Sequence, residues 1–182
     1  MKKYLQYIPF LAIFCLAVLL FVKVNGQGKD AGKSLTSGVF GSSPMVGRDM
    51  PDEVINTIFP AKGKIDNLTY RGKYTVVNLF ASWCAACAYE HKFIKGLKGN
   101  SIQLIGISWR DKAEDSFSWL IKNGNPYDVV GNDSLGKYGI YLGITGIPET
   151  FVVSPEGKII MHFAGPVGDA EVAQIKELVA KH

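Results

Sequence analysis

Two cysteines with two residues between them, Cys84 and Cys87, stand where a strand-like run gives way to a helix-like one, and this junction constrains the fold most. Upstream, Thr75-Val76-Val77-Asn78-Leu79-Phe80 is short, β-branched and aromatic, the pattern of a strand covered on both faces. Downstream, Ala85, Ala86, Ala88, Tyr89 and Glu90 favour a helix, and Phe93, Ile94 and Leu97 give it an apolar stripe. Lys92, Lys95 and Lys98 crowd its last turns, where the helix dipole favours cations, and Gly99 is placed to end it. The run Ile102 to Ser108 reads as a second buried strand. Strand, helix and strand in this order make a parallel unit with a right-handed crossover.

The remaining text extends the unit. A helix is predicted over Ala113 to Asn123 with Phe117, Leu120 and Ile121 turned inward, stopped by Gly124-Asn125-Pro126. Thr150 to Val153 and Lys158 to Phe163 read as a hairpin across Ser154-Pro155-Glu156-Gly157. Asp169 is the expected cap of a last helix carrying Val172, Ile175, Leu178 and Val179 at helical spacing. The sum is an α/β domain, a mixed central sheet with helices on both faces, over residues 44–182. About 140 residues is an ordinary size for a single core.

Residues 1–24 are different in kind. Lys2 and Lys3 precede an apolar run from Tyr4 to Val22, long enough to cross a hydrocarbon layer of ~30 Å as a helix. The run ends Leu20-Phe21-Val22-Lys23-Val24, bulky where signal cleavage needs small residues, so an uncleaved signal-anchor is expected. Lysines flank both ends, so charge counting does not orient the span. The very short polar head argues instead for export of the long downstream part. Residues 25–43, rich in Gly, Ser and Lys, form the expected flexible tether, with a reach of roughly 25 Å. The net charge of +4 is spread along the 182 residues without basic clusters, so no nucleic-acid partner is expected.

Of three cysteines, Cys15 falls within the apolar run, leaving Cys84 and Cys87 as the close pair. One close pair points to redox chemistry or metal rather than to a disulfide-stapled scaffold. At the first turn of a helix, free N–H groups and the positive dipole end stabilise a thiolate at Cys84. Lowering a thiol pKa by about two units takes only ~2.7 kcal/mol. Cys87, almost one turn on, can close upon it and faces inward. A zinc site would need two more ligands, and His91 is the only histidine nearby in sequence, read as a surface helix residue; His162 and His182 are remote. Haem attachment would want histidine where Ala88 stands. A structural disulfide and a copper site using the pair remain alternatives, and the expected set contains no metal and no cofactor.

Phe80-Ala81-Ser82-Trp83-Cys84-Ala85-Ala86-Cys87-Ala88-Tyr89-Glu90-His91 resembles the active-site segment of the thioredoxin superfamily, nearest its CcmG/DsbE branch. Tyr138 to Phe151, ending Gly146-Ile147-Pro148-Glu149-Thr150-Phe151, resembles that branch's Gly-x-Pro-Glu-Thr-Phe signature. The resemblance implies a thioredoxin-like fold and thiol–disulfide exchange, with Cys84 attacking and Cys87 resolving. It implies a cis bond between Ile147 and Pro148, with Ile147 offering backbone groups to the substrate and Trp83 covering the site. Glu90 and Glu149 become candidate proton acceptors, their pKa raised by burial. It further implies a disulfide-bearing protein substrate, apocytochrome c or a maturation partner, and a membrane thiol reductant that recharges the protein. The expected setting is a bacterial-type inner membrane, single-pass, with the domain on the periplasmic side, and the expected state is a monomer. The sequence departs from the branch at Ala85-Ala86, where a Pro-Thr-like pair is usual, and over Met50 to Ile58. A broader ResA- or TlpA-like reductase is the rival within the class; a copper chaperone is the rival outside it.

Overall fold

The computed structural model describes residues 43–59, 62–99 and 101–181. The expected anchor over residues 1–24 and nearly all of the tether lie outside them. Among the described residues no helix is long and apolar enough to cross a membrane.

The strand run beginning at Thr75 forms the centre of a five-stranded sheet. Preceding it, β1 (Ile55–Asn56) and β2 (Lys64–Ile65) make a small antiparallel pair. Next come β3 (Tyr74–Phe80), α1 (Ala85–Lys95), β4 (Ile102–Trp109), α2 (Ala113–Asn123) and β5 (Val129–Asp133). The chain continues through α3 (Lys137–Tyr141), β6 (Glu149–Val153), β7 (Ile159–Ala164) and α4 (Asp169–Ala180). The sheet order is β5-β4-β3-β6-β7. β3, β4 and β5 run parallel, and β6 returns antiparallel to β3 with Val77 opposite Phe151. β6 and β7 form the expected hairpin.

Alternate residues of β3 enter different cores, as a strand's period of two requires. Val76 and Phe80 join one cluster with Ile94 of α1, Leu120 of α2 and Ile175 of α4. Val77 and Leu79 join the other with Ile55, Ile65, Tyr70, Tyr138 and Phe151. The crossovers β3-α1-β4 and β4-α2-β5 step in the same direction across the sheet. Sharing one hand, they must put α1 and α2 on one face, and α4 packs there as well. The opposite face is covered by α3, a 3-10 turn at Asn67–Tyr70 and the lead-in before β3, where the Tyr70 and Tyr138 hydroxyls meet at 2.7 Å in the interior.

Three local expectations are corrected. Ser116, not Phe117 or Ile121, accompanies Leu120 inward on α2; Phe117 and Ile121 are exposed. A buried polar chain, Ser108 to Ser116 to Asp111, draws that face in and rolls its apolar neighbours outward. Asp169 is the first residue of α4 rather than its cap; Gly168 caps it, its N–H donating to Glu171 at 2.8 Å. α1 stops at Lys95, a turn before Gly99, although Leu97 beyond it is fully buried.

The lead-in also reaches both rims of the sheet. Gly47 N–H donates to Ile159 O, and Ile159 N–H to Arg48 O, each at 2.8 Å, at the start of β7. Met50 N–H donates to Gly157 O just before that strand. Eight residues further on, Ile58 N–H donates to Val130 O at 2.9 Å on β5, and Thr57 bridges Gly131.

Candidate active site

The carboxyl ends of β3 and β4, the first turn of α1 and the start of β6 converge at one end of the sheet, the place where open parallel sheets present their sites. β3 gives out after Phe80, and a tight turn carries the chain into α1, with Cys84 N–H donating to Ala81 O at 3.2 Å. Cys84 itself N-caps the helix: its Sγ accepts from Cys87 N–H at 3.1 Å. Cys84 and Cys87 are joined by a disulfide, and Cys84 is the slightly more open residue, 6% exposed against 2%. A thiolate released at Cys84 would inherit the Cys87 N–H and the helix dipole.

Two residues that sequence reasoning passed over hold this turn. Asp111, just beyond β4, accepts from Ser82 N–H at 2.7 Å, and Arg110 O accepts from the Trp83 indole N–H at 3.2 Å. Arg110 sits at φ 48, a left-handed backbone that costs a non-glycine residue ~1 kcal/mol or more. That conformation ends β4 and turns successive residues, one by carbonyl and one by carboxylate, toward the cysteine turn. The detectable signal was an acid two residues past a buried strand that parallels β3. Trp83 is 59% exposed, tethered by its N–H with its ring open to solvent beside the disulfide.

Facing the cysteines is the Ile147–Pro148 bond, which is cis. Ile147 O lies 3.9 Å from Cys84 Sγ. Glu149 follows at once and is buried, one carboxylate oxygen accepting from the N–H groups of Thr145 at 2.9 Å and Gly146 at 3.3 Å. The other oxygen meets His162 Nε2 at 2.6 Å, and His162 Nδ1 meets Ser43 Oγ at 2.7 Å. Burial alone would raise this carboxyl; the His162 hydrogen bond, the two backbone N–H groups and the histidine's charge outweigh burial and leave it below the usual range. The rise expected for Glu149 is thus reversed.

Glu90 has its pKa shifted in the expected direction. It stands three residues after Cys87, on the same face of α1, and is 1% exposed. Burial drives its carboxyl up to about 7, against the pull of hydrogen bonds from Val167 N–H at 2.9 Å and the Asn78 amide at 2.8 Å. Asn78, in the middle of β3, also donates to Thr150 Oγ1 at 3.0 Å and accepts from the Tyr127 hydroxyl at 2.6 Å. An Asn inside an otherwise apolar strand was the signal for this network. His91 is buried rather than on the surface: its Nε2 meets Gly124 O at 2.8 Å, its ring sits edge-on to Trp119, and burial lowers its pKa. Its inward turn follows from α2 packing alongside α1.

The assembled groups are a disulfide at a helix start, a cis peptide against it, and a buried carboxyl with its pKa raised to about 7, one helical turn beyond the inner cysteine. They suffice for reversible dithiol–disulfide interchange with proton transfer.

Comparison with known proteins agrees in kind. The model of the AhpC/TSA family matches residues 46–162. Over 171 residues the chain is 35% identical to the thiol:disulfide interchange protein DsbE of Haemophilus influenzae, covering 93% of this chain and 90% of that protein. The thiol:disulfide interchange protein HelX of Rhodobacter capsulatus is 42% identical over 96 residues, 53% of this chain and 54% of its own. Among solved structures, a DsbE-type thiol:disulfide interchange protein from Chlorobium tepidum superposes with a TM-score of 0.60 at 19% identity, covering 75% of this chain and 96% of that one, a likeness of fold.

Proposed function

The chain belongs to the AhpC/TSA family of thioredoxin-like proteins and is a thiol–disulfide oxidoreductase; from this premise we propose that it is a membrane-anchored reductase of exported proteins, serving apocytochrome c or its maturation partners. The observation that carries the proposal is the Cys84–Cys87 pair at the start of α1, set against the cis Ile147–Pro148 bond and backed by Glu90.

In the proposed cycle the reduced protein presents Cys84 as a thiolate held by the first turn of α1. It attacks one sulfur of the client disulfide and displaces the other as a thiolate, forming a mixed disulfide. Glu90 then takes the proton of Cys87, whose sulfur attacks Cys84 and releases the second client thiol. The client gains two electrons from the cysteine pair, its two thiolates take their protons from Glu90 and from solvent, and the protein is left with the disulfide described above. A membrane thiol reductant restores the dithiol. Ile147 and Pro148 dock the client backbone, Trp83 covers the attacked bond, and Glu149 fixes the docking loop.

Residues 1–24 are proposed as the anchor and 25–43 as the tether, with the domain from residue 44 on the periplasmic side of a bacterial-type inner membrane, acting as a monomer. The apolar run and its bulky end support this. The Gly146-Ile147-Pro148-Glu149-Thr150-Phe151 segment supports the cytochrome assignment.

The test is to trap the client. In the full chain, Cys84→Ser should abolish exchange, while Cys87→Ser should accumulate mixed disulfides whose partners can be read by mass spectrometry. Recovery of apocytochrome c or its maturation factors supports the proposal. A broad set of other exported proteins would move it to a general reductase, and stoichiometric copper held by the cysteine pair would move it to a chaperone. A potential near −120 mV in defined thiol–disulfide buffers would make it an oxidant.

A further inference from the structure

We propose that His162 is a positioning residue for client binding: it sets the cis-proline loop through Glu149 without touching the reacting sulfurs. The inference rests on the reading of Cys84 as the attacking sulfur and of Ile147 as the client's docking point.

The structural chain from His162 to the loop is short and continuous. His162 lies on β7 directly across from Phe151 of β6, and their rings stack at 4.1 Å with planes 6° apart. Two residues before Phe151 on the same face of β6 stands Glu149, within diagonal reach of the histidine. Both ring nitrogens of the imidazole are engaged, Nε2 with the Glu149 carboxylate and Nδ1 with the Ser43 hydroxyl. Its side chain is 11% exposed and that of Glu149 4%, so water does not readily replace either partner.

Glu149 passes the constraint on. One oxygen is taken by His162, and the other gathers the Thr145 and Gly146 N–H groups immediately before the cis bond. Without the histidine, the carboxylate would be free to swing, and the two N–H groups it gathers would lose their fixed acceptor. Ile147, next in line, would then no longer hold its carbonyl against Cys84 Sγ. A cleft of ≈ 310 Å³ lined by Ser43, Met45, Thr145, Glu149 and His162 adjoins this loop, leaving it room to relax once unpinned.

A loop that docks a client backbone matters for a polypeptide disulfide and not for a small one with no backbone to pair. His162→Phe keeps the ring stacked on Phe151 and removes both hydrogen bonds. His162→Gln restores a donor near Nε2. In the full-length chain, H162F should raise KM for a disulfide-bonded peptide about tenfold and change kcat and the reduction of a small aromatic disulfide less than about twofold. H162Q should recover most of the KM. Unchanged kinetics on both substrates, or equal losses on both, would overturn the proposal. Should H162F not fold, Ser43→Ala, which removes only the Nδ1 partner, carries the test: about a threefold rise in peptide KM is expected, and no rise overturns it. Cys84→Ser run alongside separates the two layers. A dead C84S with an unaltered H162F sinks the positioning role alone; a C84S that still exchanges sinks the reading beneath it.

Discussion

A carboxyl group that trades its proton near neutrality is what burial makes of Glu90, and two outcomes follow from it. The folded protein holds the Glu90 proton up to about pH 7, whereas an unfolded chain releases it near the ordinary glutamate value of 4.5. Folding therefore takes up a proton between these limits, so this group's contribution to stability is complete below about pH 4.5 and is lost as pH rises through about 7. The loss is on the order of 3 kcal/mol. Urea midpoints at pH 5 and pH 8 should show that fall in the natural chain and much less of it in Glu90→Gln. The rate of the resolving step should rise through about pH 7 and flatten in the same variant. Asn78→Leu, which removes a donor from the ionised carboxylate, should move that rise to higher pH. The cysteines and Pro148 were legible because each has a characteristic neighbour pattern. Glu90 was named without its surroundings, since nothing in a helical Tyr-Glu-His string says which residue another strand's Asn will meet. Asp111 and His162 stayed hidden because their partners are 29 and 13 residues away.

At the level of elements, the long pieces were readable and the joints were not. β3, β4, α2 and the β6–β7 hairpin stand within a residue or so of their predicted bounds because their apolar runs have one dominant period. β1, β2 and α3 are too short to show a period, and they exist because tertiary partners hold them. β5 carries Gly131 and Asn132, poor strand formers, and is completed by pairing with β4. The same close fit supplies a prediction. A Cβ on Gly106 of β4 would come within 2.7 Å of the Tyr127 ring, whose hydroxyl holds Asn78. Gly106→Ala should cost about 1–3 kcal/mol of stability by overpacking, seen as a lower melting temperature. It should also disturb the pH dependence of exchange, because the displaced ring belongs to the Glu90 network.

For the molecule as a whole, the proposed anchor and tether make catalysis a surface-bound process. The full chain should stay with membranes through an alkaline carbonate wash. Removing residues 1–24 should release it while leaving the reduction of a small disulfide within about twofold of the natural chain. The lead-in before β3 then acquires a meaning its irregular sequence did not advertise. Because one stretch of chain pairs with the start of β7 and, ten residues later, with the middle of β5, part of each rim is closed to an extended polypeptide that could otherwise zip onto it. Unfolded clients, which are extended and sticky, then find fewer open strand edges competing with the end where the sulfurs are. Cutting between residues 51 and 54 separates the segment on β7 from the segment on β5, and the nicked protein should aggregate faster than the intact one when followed by light scattering.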